Sequence, residues 1–255
     1  MGPDAFPARF IPNFLGLSSN LENGVPQGPW RAPGDNTYAW VTGSFLDELA
    51  RAAGRDAVEF NLSVLGDRDI VPAGKSKWSQ PYNVARMRQV VRTAAERSGW
   101  GKALPRGKGM GLGYYFSHLG YVAEVAEVTV SPKGELRVDR VVAAVDVGSQ
   151  IVNLSGAENQ VQGGIIDGLS AAWMQELDIR QGRVVQGNLD EYAMLRIPDA
   201  PRAIEIHFLK TDYPPTGLGE PPLPPLAPAV CNAIFAATGK RVRQLPISRT
   251  DLSWS

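Results

Sequence analysis

Gly219-Glu220-Pro221-Pro222-Leu223-Pro224-Pro225-Leu226-Ala227-Pro228-Ala229-Val230 sets one carboxylate between a glycine and a run of prolines. The run leads directly into a helical pattern. Gly219 has no Cβ, so a bulky ligand can approach the backbone closely. The prolines fix φ and stiffen the chain after Glu220. Together they hold one carboxylate in place at little entropic cost, which suits a general base. A proline-rich run also serves as a rigid connector with no chemistry of its own, and this stretch alone leaves both readings open.

The wider segment from Gly219 to Ile247 continues Cys-Asn-Ala-Ile-Phe-Ala-Ala-Thr-Gly-Lys-Arg-Val-Arg-Gln-Leu-Pro-Ile from Cys231. It resembles the end of the large subunit of the molybdenum hydroxylases, the xanthine dehydrogenase and aldehyde oxidoreductase superfamily. Within that superfamily it is most like the isoquinoline 1-oxidoreductase beta-subunit branch. There the glutamate of the Gly-Glu-Pro loop is the base beside the molybdenum. The resemblance implies that role for Glu220, with Gly219 against the cofactor.

The likeness covers most of the chain from about Arg9. Gly28-Pro29-Trp30-Arg31-Ala32-Pro33-Gly34-Asp35-Asn36 resembles the family's arginine-containing loop near the metal, and Arg31 falls on the arginine. A fixed guanidinium can bond an oxo group or a backbone carbonyl, which agrees with that place. Family members often stack the substrate on an aromatic residue two positions later. Here that position is Pro33, so an aromatic substrate needs another platform. Trp30 is a candidate beside its ordinary reading as a core or interface tryptophan. Gln160-Val161-Gln162-Gly163-Gly164-Ile165 resembles the Gln-x-Glu-Gly segment, whose glutamine contacts the cofactor. Gln160 matches; Gln162 replaces the usual glutamate, which puts a local ion pair in doubt but not the cofactor contact.

Composition sets the class. Hydrophobic content of 44% and charged content of 20% describe an ordinary globular chain. Lys+Arg and Asp+Glu are both 26, which offers no electrostatic case for nucleic acid or an anionic membrane. No apolar run reaches the length of a membrane helix. Cys231 is the single cysteine, so an internal disulfide or a cysteine-ligated iron–sulfur cluster within these residues is excluded. In its apolar setting it reads as a small buried hydrophobe. The two histidines, His118 and His207, are too few for a histidine-rich metal site. The first residues carry no basic and apolar pattern of a signal peptide, which leaves the compartment open: cytoplasm, or periplasm with a signal-bearing partner.

Residues 1–40 are rich in Pro, Gly and Asn and read as an extended arm lying on a partner; residues 41–255 read as the domain proper. A helical pattern begins at Thr42 and stops at Gly54, and a short helix covers Ala57–Val64. Residues 65–79 read as a loop. Pro81 opens an amphipathic helix with Val84, Met87, Val90, Val91 and Ala94 inside and Gly99 as its stop. The alternating Gly107, Gly109, Gly111 and Gly113 read as a flexible entry into a sheet, not a dinucleotide fingerprint. Residues 114–147 read as two or three strands turning at Pro132-Lys133-Gly134. The glutamates of Tyr121–Val128 read as a solvated face. A helix over Ala157–Met174 follows, with Asn153 or Ser155 as cap. After it come a short hairpin around Gln181-Gly182 and a strand over Ile204–Leu209. A last helix covers Pro228–Thr238; Gly239 ends it, with Lys240 and Arg241 at its negative end.

These elements indicate an α+β, mixed α/β fold. The resemblance implies the C-terminal molybdenum-cofactor-binding domain of a large subunit, its last third as a separate polypeptide. It further implies molybdopterin, in bacteria commonly as the cytosine dinucleotide, with no protein side chain ligating the metal. The implied partners are the N-terminal large-subunit portion bearing the other cofactor loops, an iron–sulfur subunit carrying the clusters, and a flavin or cytochrome subunit. The implied activity is hydroxylation of an N-heterocycle or oxidation of an aldehyde with water as oxygen source. A cofactor-free structural or ligand-binding homologue within a complex is the competing reading.

Overall fold

The β-branched stretch between Lys108 and Asp146 forms three long antiparallel strands, and the other elements are arranged on them. The computed structural model describes residues 5–17, 19, 21–22, 24–77 and 79–255. In chain order the elements are α1 (Asp35–Ala52), α2 (Ala57–Leu65), β1 (Ile70–Val71), β2 (Tyr82–Asn83), α3 (Val84–Ser98), β3 (Lys108–Ser117), β4 (Gly120–Val130), β5 (Leu136–Asp146), α4 (Leu154–Trp173), β6 (Ile179–Arg180), β7 (Arg183–Val184), β8 (Ala203–Phe208) and α5 (Leu226–Thr238). The main sheet has the order β3-β4-β5-β8, with β8 parallel to β5.

Helices cover both faces of this sheet. On one side α4 and α5 bury Ile165, Leu169, Val230 and Ile234 against Val122, Ala126, Ala143 and Val145. On the other, α3 buries Met87, Val90 and Val91 against Leu112, Ala123 and Val125. A sheet covered twice has no wet face, so its middle strand does not alternate in polarity. The expectation of a solvated glutamate face fails for this reason. Glu124 is fully buried. Glu127 instead pairs with Lys102 and Arg140.

The glycines of β3 are a packing device, not a flexible entry. A Cβ at Gly109, Gly111 or Gly113 would overlap the backbone of Ala233, Ala229 or Pro225. Three glycines on one strand face thus let α5 lie directly on the sheet.

Local signals explain the helix ends. Asp56 caps α2 through the N–H groups of Val58 and Glu59, Asn83 caps α3 through Arg86, and Asn153 caps α4 through Gly156. Gly99 and Gly239 close α3 and α5 in the left-handed conformation. Two boundaries differ from the sequence reading. Pro81 precedes a short paired strand, and α3 starts after it at the Asn83 cap. The first helix starts at Asp35, not Thr42, so residue 40 lies inside it. Gly34 turns the chain at φ 76° and Asp35 sits in the first turn, where a carboxylate suits the positive helix end.

Part of the expected arm packs on this chain itself. Phe6 and Phe10 meet edge to face at 4.9 Å, and Phe10 meets Tyr82 at 5.0 Å. Residues 11–17 are exposed. Residues 1–4, 18, 20 and 23 of the arm lie outside the described residues. At the far end Arg241 binds Asp47 at 2.5 Å and Asn232 at 3.2 Å, tying α5 to α1 rather than capping α5. Cys231 is buried and its thiol is pushed up to about 12 by burial. Among the described residues no helix is long and apolar enough to cross a membrane.

Candidate active site

Glu220 stands where the proline run turns into α5. The Leu223 N–H donates to the Glu220 carbonyl at 3.0 Å, and residues 221–225 are all buried. The backbone on one side of the carboxylate is therefore clamped, as its prolines dictate. Gly219 is exposed and Glu220 half-buried, so the side chain sits at a rim.

The loop before α1 closes on that rim from far away in sequence. Arg31 Nε donates to the Gly219 carbonyl at 2.5 Å, and its NH2 donates to the Gln160 carbonyl at 3.3 Å and to Gln160 Oε1 at 3.5 Å. Arg31 NH1 lies 3.5 Å from Asp167, so an ion pair survives although Gln162 carries no charge. The three expected cofactor-side residues, Arg31, Gln160 and Gly219, are thus one bonded cluster. The next residue, Ala32, is fully buried and its N–H donates to Glu220 Oε1 at 2.9 Å.

The second oxygen meets a residue that the sequence reading did not select. His118 Nε2 lies 2.9 Å from Glu220 Oε2. His118 Nδ1 lies 2.7 Å from Ser117 Oγ, which donates to Asp35 Oδ2 at 2.6 Å. A line of polar groups runs from Glu220 to Asp35. Burial raises the Asp35 carboxyl above its ordinary value; the Ser117 hydrogen bond and His118 oppose this, and Glu220 adds to it.

Backbone strain marks the same spot. His118 and Leu119 form the two-residue turn between β3 and β4 with φ of 51° and 67°, and Ala32 has φ 53°. Such turns favour Asn and Gly, because side chains resist positive φ. Both groups that hold the Glu220 carboxylate therefore come from strained, non-glycine residues, a pattern that points to function.

Glu220 and His118 border an open cavity of about 1400 Å³. Its wall includes Tyr38, Tyr82, Tyr114, Tyr115 and Phe116. Pro33 lines it as well, whereas Trp30 is exposed and is not part of the wall. The aromatic surface beside Pro33 comes from β3, with Tyr38 of α1 and Tyr82 of β2.

Residues 45–201 match the family described as the molybdopterin cofactor-binding domain. The chain belongs to that family. It is 34% identical, over 97% of its length, to a membrane-bound aldehyde dehydrogenase named for pyrroloquinoline quinone, from Gluconacetobacter polyoxogenes, and covers 32% of that protein. It is 34% identical, over 80% of its length, to isoquinoline 1-oxidoreductase subunit beta of Brevundimonas diminuta, and covers 24% of it. The aldehyde oxidoreductase of Desulfovibrio gigas shares the fold, with a TM-score of 0.65 at 15% identity, covering 85% of this chain and 40% of that one. The chain thus spans a third or less of the length of these two sequence relatives.

The residues present fit a molybdopterin group. A cofactor of this family is anionic and rich in oxygen acceptors, and the cluster offers donors. Arg31 is held by backbone carbonyls, and Gln160 Nε2 has no hydrogen-bond partner among the described residues. A Cβ at Gly217 would meet nothing within 4 Å, and one at Gly219 only Gln160 Oε1 at 3.7 Å. The backbone there is bare to an approaching ligand.

Proposed function

We propose that this chain forms the wall of a molybdenum hydroxylase active site, and that Glu220 is its general base. The substrate is an N-heterocycle or an aldehyde, and water is the oxygen source. The observation that carries the reading is the Glu220 carboxylate, held through both oxygens at the mouth of an aromatic-walled cavity. When bound, the molybdopterin cofactor supplies the redox chemistry.

Each residue then has a task. Arg31 and Gln160 bind the cofactor's oxygen groups, and Gly219 admits it to the backbone. Ala32 N–H and His118 orient the carboxylate, each leaving a lone pair on its oxygen to take a proton. Glu220 accepts the proton that the water-derived nucleophile gives up. The aromatic wall favours flat substrates, and an aromatic N-heterocycle fits it better than a small aldehyde.

The cofactor is taken in its cytosine dinucleotide form, and iron–sulfur clusters on a partner subunit accept the electrons. The N-terminal portion of a large subunit supplies the remaining cofactor loops. The exposed Leu15, Leu17 and Leu21 suit an arm laid on such a partner. The family match favours this reading over a cofactor-free homologue.

The test is Glu220→Gln in the assembled complex. Gln keeps the shape and still accepts from Ala32, but it is not a base. Molybdenum content stays near wild type and turnover falls about 10²–10⁴-fold. Near-normal turnover removes Glu220 from the mechanism.

A further inference from the structure

A base that takes up a proton in each turnover must lose it before the next. Glu220 is half-buried beside the cavity, so a bound substrate would cover its open side. Its Oε2 faces His118, and beyond His118 lie Ser117 and then Asp35, with contacts of 2.9, 2.7 and 2.6 Å. The strained turn points His118 at Glu220 and leaves Leu119 beside it exposed.

We propose that His118, Ser117 and Asp35 form a proton relay that resets Glu220, carrying its proton from Oε2 to the Asp35 carboxylate. The proposal rests on the reading of Glu220 as the base. His118 Nε2 takes the proton from Glu220 Oε2. His118 Nδ1 gives its own proton to Ser117 Oγ, and the Ser117 hydroxyl gives its proton to Asp35 Oδ2. Glu220 ends as a carboxylate, Asp35 as a carboxylic acid, and the imidazole as the opposite neutral tautomer. No charge is created in between. Asp35 then releases its proton to water, and the His118 ring, 42% exposed, loses the Nε2 proton to water and regains one at Nδ1.

The ends of the line suit this direction. Burial raises the Asp35 carboxyl, which makes it a willing acceptor. Its side chain is 29% exposed on the wall of the same cavity, so the proton reaches water from Asp35 at a point removed from Glu220. The ionisable groups around the line are Glu220, Tyr115 on β3, Tyr38 on α1, and Arg31, which contacts Gly219, Gln160 and Asp167. Arg31 donates no bond into the line itself. His118, Ser117 and Asp35 act through Glu220 and are positioning residues, not catalytic ones.

The ring tautomer should follow the charge on Asp35. With Asp35 ionised and Glu220 carrying its proton, the Ser117 hydroxyl points at Asp35, Nδ1 carries the ring proton and Nε2 accepts from Glu220 Oε2. With Asp35 protonated, Ser117 turns to Nδ1 and the proton sits on Nε2. His207→Asn leaves His118 as the one histidine of the chain, so 15N-histidine labelling of this chain in the complex reads this ring alone. We expect a tautomer change as Asp35 ionises, absent in Asp35→Asn and in Ser117→Ala.

In turnover, His118→Asn and Ser117→Ala should lower kcat about 10- to 100-fold, at or below the foot of the roughly 10²–10⁴-fold range for losing the acid–base group itself, because the base remains. KM and molybdenum content should hold, and added imidazole should restore part of the rate to His118→Ala. Ser117→Ala removes only one oxygen, so it serves if a histidine variant misfolds. If Glu220→Gln is inactive while both variants keep wild-type kcat and pH profile, the relay is wrong and the base stands. If Glu220→Gln itself turns over normally, the functional reading fails first. A His118 tautomer that ignores Asp35 also overturns the relay.

Discussion

Ala32 donates its backbone N–H to Glu220 at 2.9 Å, joining residues 188 positions apart in the sequence. A main-chain donor cannot be altered by changing a side chain. The orientation of the carboxylate therefore depends on the shape of the Arg31–Pro33 loop, and Arg31 fixes that loop by gripping the carbonyl of Gly219. Glu220 and Arg31 are thus two ends of one clasp.

The clasp predicts that Arg31→Lys impairs cofactor retention or turnover more than stability. Lysine lacks the planar fork that reaches Gly219, Gln160 and Asp167 together. Molybdenum content and rate, measured beside the melting temperature, check this. A change confined to melting assigns Arg31 to packing.

Gly111→Ala should be strongly destabilising, because the new methyl meets the backbone of Ala229 and Ala233. Overpacking costs about 1–3 kcal/mol where side chains can yield, and a backbone yields less. At roughly 2–4 °C per kcal/mol for a domain of this size, melting should fall by about 6 °C or more. An unchanged melting temperature would show that α5 does not rest on β3 as described.

Glu124 predicts an unusual pH dependence. It is fully buried, neither oxygen has a partner among the described residues, and burial holds its carboxyl well above 4.5. The folded state then binds the proton more tightly than the unfolded chain does. Its contribution is complete below about pH 4.5 and is lost as pH rises toward the folded value. Glu124→Gln should remove this slope, so the stability of the variant relative to wild type grows by up to about 1.4 kcal/mol per pH unit in that window. Denaturant titrations at several pH values measure it; a constant difference contradicts the assignment.

Expressed alone, the chain should associate or fail to hold cofactor. The cavity beside Glu220 is open, and Leu15, Leu17 and Leu21 are exposed. Co-expression with the partner carrying the remaining loops should give a soluble, coloured complex by size exclusion and metal analysis. A stable monomer that binds molybdopterin unaided contradicts the proposed partnership.

The sequence made part of this site legible. Gly219-Glu220 stood out through its local stiffness, and Arg31 and Gln160 through short motifs, all properties of neighbouring residues. His118 and Asp35 did not stand out, because their importance comes from a hairpin and a helix start brought together across 82 or more residues. Two signals were present: a histidine in a turn with no Asn or Gly, and the Gly34-Asp35 pair ahead of a helical pattern. The β3 glycines were misread for a related reason. Their regular spacing looks like slack until the helix that rests on them is known.

Those glycines have a consequence for the chemistry. The loop bearing Glu220 leads into the start of α5, and His118 follows the end of β3, so both are carried by the two elements that the glycines press together. With no side chain between them, the backbones of α5 and β3 meet at Gly109, Gly111 and Gly113, and this contact sets the separation of the two elements. The gap between Glu220 and His118 is set by the interior of this domain, where α5 rests on β3.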